Sequence, residues 1–344
     1  QGTLFGSGSV GGTIRYITNQ PRLGRTEGLI EGNLNLVAEE DIGGHLKGAI
    51  NLPLGENAAI RAVGYFTQYG GFADARGEGG TIDENVNTGQ RYGGRIAIRL
   101  EASDNVTITP RVLYQKIETD GFNRQEVYNL FANPNTTTRP AITLREREQY
   151  LLLGEGFEDE TLIADIKFEI DLGDVAVTSI TSYIDRSILV SRDASALTGS
   201  VSVDLGFTPA AVLLPSNLRD TTELNSVVQE IRLASDYDSP FQWLVGFFYS
   251  HTDRIYAQRL PTPGYDAATD AALGAGTAVA VRNGFPANSP YNADLPYDIR
   301  QTAVFGEASW DLSERFTITA GARYYDFQEE RRFKSGGLFS NGDD

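Results

Sequence analysis

The stretch LIADIKFEIDL (162–172) decides how the chain is read. Leu162, Ala164, Ile166, Phe168, Ile170 and Leu172 occupy one parity; Asp165, Lys167, Glu169 and Asp171 occupy the other. A helix would spread these charges around its circumference, whereas a strand puts successive side chains on opposite faces. The segment is therefore a strand with one apolar and one charged face. The same period recurs along the chain. Ile30, Gly32, Leu34 and Leu36 oppose Glu31, Asn33 and Asn35; Leu46, Gly48, Ile50, Leu52 and Leu54 oppose Lys47 and Asn51; Ile60, Ala62, Gly64 and Phe66 oppose Arg61 and Thr67; Ile96, Ile98 and Leu100 oppose Arg95, Arg99 and Glu101.

Eleven such runs are expected, near 28–38, 45–54, 58–68, 91–101, 106–117, 161–172, 175–186, 221–235, 242–257, 300–312 and 316–332. Each is about 10 residues or more, the length of a tilted strand crossing a bilayer. In 175–186 and 242–257 both faces carry apolar residues, so their inward face is open. Short turns fall at 53–57, 102–105, 172–174, 235–240 and 311–315, and long connections near 69–90, 119–160, 187–220 and 259–299. This alternation puts every long loop on one end, as in outer-membrane barrels. EEDIGG (39–44) is a short exception on the long-loop side, and DAATDAALGAGTAVAV (266–281) can hold a short helix. Tyr65, Phe66, Tyr69, Tyr114, Tyr183, Phe247, Phe248, Tyr249, Tyr324 and Tyr325 lie near strand ends, as an interfacial aromatic girdle would.

Composition narrows the function. The 344 residues contain no Cys, which removes disulfide and thiolate chemistry. A net charge of -17 disfavours nucleic acid, whose phosphates need a basic surface. The two His, His45 and His251, are far apart in sequence and read as wall or surface residues, not metal ligands. Glu155, Glu158, Asp159 and Glu160 lack the spacing of a Ca²⁺ loop and read as a solvated loop edge. No catalytic, cofactor or metal residues are expected, and the chain is not read as an enzyme.

The opening stretch, QGTLFGSGSVGGTIRYITNQPRLG (1–24), contains G-x-G-x-x-G at Gly6–Gly11. A dinucleotide site needs a helix after that motif; Thr13–Thr18 is instead β-branched and aromatic. The same residues, with Gly2, Thr3, Leu4, Phe5, Gly6, Gly11, Gly12 and the Pro21 that ends T-N-Q-P, resemble the last stretch of the plug of TonB-dependent outer-membrane receptors. SGSV (7–10) stands where many members carry a short polar stretch with Arg or Asn. SVVQEIRLASDYDSPFQWLVGFFYSHTD (226–253) and TAVFGEASWDLSERFTITAGARYYDF (302–327) resemble strand–turn–strand units of the same family.

The resemblance implies an all-β, antiparallel transmembrane barrel. Residues 1–24 would be the end of the plug and its link, and 25–344 the first half of a barrel of about 22 strands. It implies a plug, a TonB-contacting segment and further strands beyond this chain. Eleven strands cannot close as even-numbered bacterial barrels do. Leu162, Ile166, Phe168 and Ile170 should face lipid, and residues 1–20 should lie inside, next to the wall. The implied function is TonB-driven uptake of a scarce solute across the outer membrane of a Gram-negative bacterium, most often an iron–siderophore complex. Vitamin, haem and oligosaccharide receptors share the architecture. The implied partners are the TonB complex, outer-membrane lipid and lipopolysaccharide, and the solute. A porin without a plug and a secreted acidic β-protein are the competing classes.

Overall fold

The structure, a computed structural model, describes residues 14, 16–37, 41–126, 137 and 143–340. Eleven long strands form one antiparallel meander: β1 (Glu27–Leu36), β2 (Ile42–Pro53), β3 (Ala58–Tyr69), β6 (Gly89–Ser103), β7 (Val106–Thr119), β9 (Gly156–Asp171), β10 (Val175–Asp193), β11 (Asn217–Ser235), β12 (Phe241–Arg259), β13 (Asn292–Ser313) and β14 (Phe316–Arg331). Each pairs with its neighbours in that order, and a short strand, β15 (Lys334–Gly336), joins β13. Three further short strands, β4 (Asp74–Arg76), β5 (Ile82–Asp83) and β8 (Glu148–Tyr150), make a separate small sheet in the loops. β1 and β14 are the two free edges, so the large sheet is open.

The two faces separate as the alternation requires. On β9, Leu162 is exposed, while the Asp165 side chain is buried and accepts a 2.7 Å bond from Arg111 Nε on β7. Ile166, Phe168 and Ile170 share the Leu162 face, as expected. Glu27–Arg61 and Arg186–Asp159 are ion pairs on the charged face of neighbouring strands. That face also carries the chain entering β1, so it is the lumenal one. The opposite face shows Ile30, Leu34, Leu46, Ile50, Phe66, Ile96, Val112, Val245, Phe247 and Val304, all exposed. Such a surface suits hydrocarbon, which leaves no backbone polar group unpaired only in a helix or a closed sheet.

Register resolves the two ambiguous strands. Asp165 faces Ser182, Ser182 faces Val228, and Val228 faces Ser250, which fixes the inward parity of β10 and β12. It also divides the expected girdle. Phe66, Tyr114, Tyr183, Phe247, Tyr249 and Tyr324 lie on the apolar face. Tyr65 donates to Gln115 at 2.8 Å, and Phe248 lies under Arg323, both on the lumenal face with Tyr325. Proximity to a strand end alone did not separate them; parity does.

Several strands run further than the alternation showed. β10 continues to Asp193, β11 starts at Asn217 and β13 at Asn292. Above the apolar band the outer face also turns polar, with Asp185, Glu223, Asp253 and Asp298. The contrast between faces fades there while the backbone ladder continues. The loops fold as well. The expected helix in 266–281 is two, and 195–212, read as loop, holds two more: α1 (Ser195–Asp204), α2 (Pro209–Val212), α3 (Tyr265–Leu273) and α4 (Thr277–Val281). Phe207, Ala211, Val212 and Tyr265 form a small core with Leu338 and Phe339 beside it. The Tyr265 hydroxyl is bonded to Ser202 Oγ at 2.9 Å, and burial pushes its pKa up to about 12.

One glycine is fixed by packing. A Cβ on Gly246 would collide with the Phe305 ring, which is buried on the lumenal face between Arg232 and Arg323. Gly246→Val should therefore cost ~1–3 kcal/mol by overpacking. Gly306→Val, whose Cβ would come no nearer than 3.3 Å, to the Leu244 carbonyl oxygen, should cost clearly less. Urea unfolding of the two variants side by side makes the comparison.

Candidate functional site

The lumenal face gathers polar and charged side chains, and the chain entering the barrel is fastened to it. Pro21 is fully buried. Asn51 on β2, also fully buried, accepts from Arg22 N–H at 2.9 Å and donates to the carbonyls of Arg22 (2.9 Å) and Arg25 (2.7 Å). Arg95 Nη2 on β6 donates to the Asn19 carbonyl at 3.0 Å. Of the expected inner segment, 1–20, the structure describes 14 and 16–20; Asn19 there, and Arg22 and Arg25 beyond it, are bonded to the wall. Ile14, Tyr16 and Ile17 are exposed, and the described residues of 13–18 form no strand. Side-chain hydrogen bonds from the wall take the place of a ladder. Gly2, Thr3, Leu4, Phe5, Gly6, Gly11 and Gly12, and with them the G-x-G-x-x-G match, lie outside the described residues; of that motif Pro21 alone is described.

Above this seat, at the long-loop end, is a cavity of about 780 Å³ lined in part by His45, Tyr69, Phe72, Asn87, Asn123 and Phe157. His45 Nε2 lies 3.0 Å from Glu31, which also pairs with Lys47 at 2.8 Å. A second cavity of about 650 Å³ lies among the loops, with Glu78, Asp83, Glu84 and Asp120 on its lining. The first cavity is largely apolar with aromatic side chains, and the second is polar with acidic ones.

The carboxylates grouped in sequence at 155–160 are separated by the fold. Glu155 is buried, accepts from Arg124 at 3.0 Å and from Asp193 N–H at 2.9 Å. Asp159 pairs inward with Arg186; Glu160 faces outward and accepts from the Tyr114 hydroxyl at 3.1 Å. Partnered carboxylates on two faces make neither a Ca²⁺ loop nor a simple solvated edge. His251, on the outer face, comes within 3.3 Å of Asp298 and 3.8 Å of Asp253. Register, not sequence proximity, brings Asp298 there. Arg300 already holds Asp298 at 2.9 Å, and the group is an ion-pair cluster at the edge of the apolar band.

Arg76 on β4 pairs with Glu148 on β8, and Arg145 N–H donates to the same carboxylate at 2.7 Å. The Arg76 guanidinium holds the Glu148 carboxyl below the usual carboxylate range. A depressed carboxylate gives stability above its unfolded pKa, near 4.3, and loses it as pH falls through the folded value. The protection of the β4 and β8 amides against hydrogen exchange, taken relative to the intrinsic rate at each pH, should therefore fall on acidification below about pH 4, while the long strands stay protected.

No protein-family model and no curated protein sequence matches the chain. Solved structures do. The ferric yersiniabactin uptake receptor FyuA from Yersinia pestis matches over 98% of this chain and 44% of its own, with TM-score 0.72 and 14% identity. The siderophore receptor PiuA from Acinetobacter baumannii matches over 97% of this chain and 50% of its own, with TM-score 0.56 and 14% identity. FpvA of P. aeruginosa, solved with pyoverdines, gives 0.58 and 12% over 92% of this chain and 40% of its own. The chain thus spans half or less of these structures. By its fold it is a length of antiparallel β-barrel wall like those of these structures, with the segment that leads into β1 on its polar face.

Proposed function

We propose that the chain is the link and the first half of the barrel of a TonB-dependent receptor in the Gram-negative outer membrane, taking up a scarce metal chelate, most simply a ferric siderophore. The observation that carries this is the match over 98% of the chain to FyuA, a ferric yersiniabactin uptake receptor. The seat of Asn19–Arg25 on Asn51 and Arg95 supports an inner domain, which a passive porin lacks. Transport, not catalysis, is the role that follows.

The test is uptake of ⁵⁵Fe-loaded siderophores by cells carrying the full-length receptor, with and without TonB. Uptake that needs both is expected. Uptake indifferent to TonB would favour a porin-like barrel. TonB-dependent growth on a vitamin, haem or an oligosaccharide, with no iron uptake, would keep the receptor and replace the solute. A copper transporter, OprC, shares the fold at TM-score 0.52, so copper belongs in the same screen.

A further inference from the structure

Strand β6 faces the lumen with Gly89, Arg91, Gly93, Arg95, Ala97, Arg99 and Glu101 in turn. Three arginines therefore recur every fourth residue, separated by glycine and alanine. At about 3.4 Å per residue they are ~13 Å apart and together span ~27 Å. Arg61 and Arg111 flank Ala97 in register on the neighbouring strands. Those two are neutralised, Arg61 by Glu27 at 3.2 Å and Arg111 by Asp165 at 2.6 Å, and so is Arg99, by Glu101 at 3.0 Å. Arg91 and Arg95 are not paired with any carboxylate among the described residues. Arg91 stacks over the Tyr65 ring at 5.2 Å. Arg95 is nine-tenths buried; its Nη2 bonds the Asn19 carbonyl and its Nη1 has no hydrogen-bond partner. A buried guanidinium without a counter-charge costs several kcal/mol, so a site of this kind calls for an anion.

The row has a cavity at each end. Ile117, opposite Arg91, lines the cavity of about 780 Å³ on the long-loop side. Arg99 lines another, of about 690 Å³, at the short-turn side together with Arg22, Arg25 and Glu101. Between them, Asn19–Pro21 covers Arg95. The geometry points to an anion track: the lumenal face of β6 guides a negatively charged solute from the upper cavity toward the lower one by way of Arg91 and Arg95, ending at the Arg99–Glu101 pair, and the link closes the track at Arg95. A chain of net charge -17 would repel such a solute elsewhere, and a walled positive lane concentrates it locally. The inference rests on the uptake reading and adds the charge of the solute, its path and its closure.

The test uses the absence of cysteine in this chain. In the full-length receptor on intact cells, Ala97→Cys, and separately Val63→Cys beside Arg95, are labelled with a negatively charged and a positively charged methanethiosulfonate reagent of similar size. The anionic reagent should react ~10-fold faster or more. That preference should vanish in the Arg91→Gln/Arg95→Gln background. Asn51→Ala, which frees the link without touching β6, should speed labelling by both reagents. Equal rates for the two reagents, a preference that survives the double substitution, or silence at both positions even with Asn51→Ala would overturn the track. Leu273→Cys, exposed on α3, must react with both reagents on the same cells. Silence there would overturn the surface-receptor reading instead.

Discussion

Ile166→Arg should sharply weaken folding of the protein into a bilayer. Ile166 lies mid-way along the apolar face of β9, in register with Thr181 of β10 and Pro110 of β7. Arginine at the bilayer midplane of a barrel's lipid face costs ~2–4 kcal/mol. That is about a 30- to 700-fold loss in the folding constant, at 1.4 kcal/mol per decade. Lys167→Gln, one residue on, faces the lumen, where Lys167 pairs with Glu169 at 2.8 Å, and should change stability by less than ~1 kcal/mol. Urea titrations of the full-length protein into lipid vesicles would measure both. Equal costs would mean that the two faces of β9 see the same medium, and the barrel reading would fall.

Asn51→Leu should release the entering segment from the wall while the sheet stays intact. The substitution strands one backbone N–H and two carbonyls that Asn51 now satisfies, and each such buried group costs ~1–3 kcal/mol. Loss of the seat relieves those costs by exposing the groups to water, so the link opens rather than the strands. Trypsin cleavage after Arg22 and Arg25 should then accelerate on the order of 100-fold, which corresponds to ~2.8 kcal/mol of lost protection. Asn51→Asp keeps the acceptor for Arg22 N–H but loses both donated bonds, and should fall between the two. Unchanged cleavage in Asn51→Leu would show that other contacts hold the link.

Much of this was legible in sequence because a barrel wall writes itself in period two. Every strand expected from alternation is a strand, since wherever lipid and lumen face each other across a single sheet the contrast is written on every residue pair. Legibility failed where that contrast fails. Above the apolar band, Asp185, Glu223 and Asp298 make the outer face as polar as the inner, and the upper ends of β10, β11 and β13 went unseen. The helices at 195–212 rest on a core of Phe207, Val212 and Tyr265, and the last of these lies over 50 residues away along the chain. The seat was hidden for another reason. Asn51 and Arg95 were visible as polar members of their strands, but only the three-dimensional path of Asn19–Arg25 turns them into a clasp. Sequence motifs locate a segment; they do not name its partner.

The meander has a consequence for how the wall is built. Each long strand is bonded to the long strands beside it in chain order, alternately through long loops and through turns as short as those at 103–106 and 313–316. Assembly can therefore proceed hairpin by hairpin, each step closing a small loop at little entropic cost. One pairing alone must be made across the whole sequence: the one that meets the free edge of β1. That seam, rather than any hairpin, sets the slow step in making the cylinder, and the sheet edges stay sticky until it is sealed.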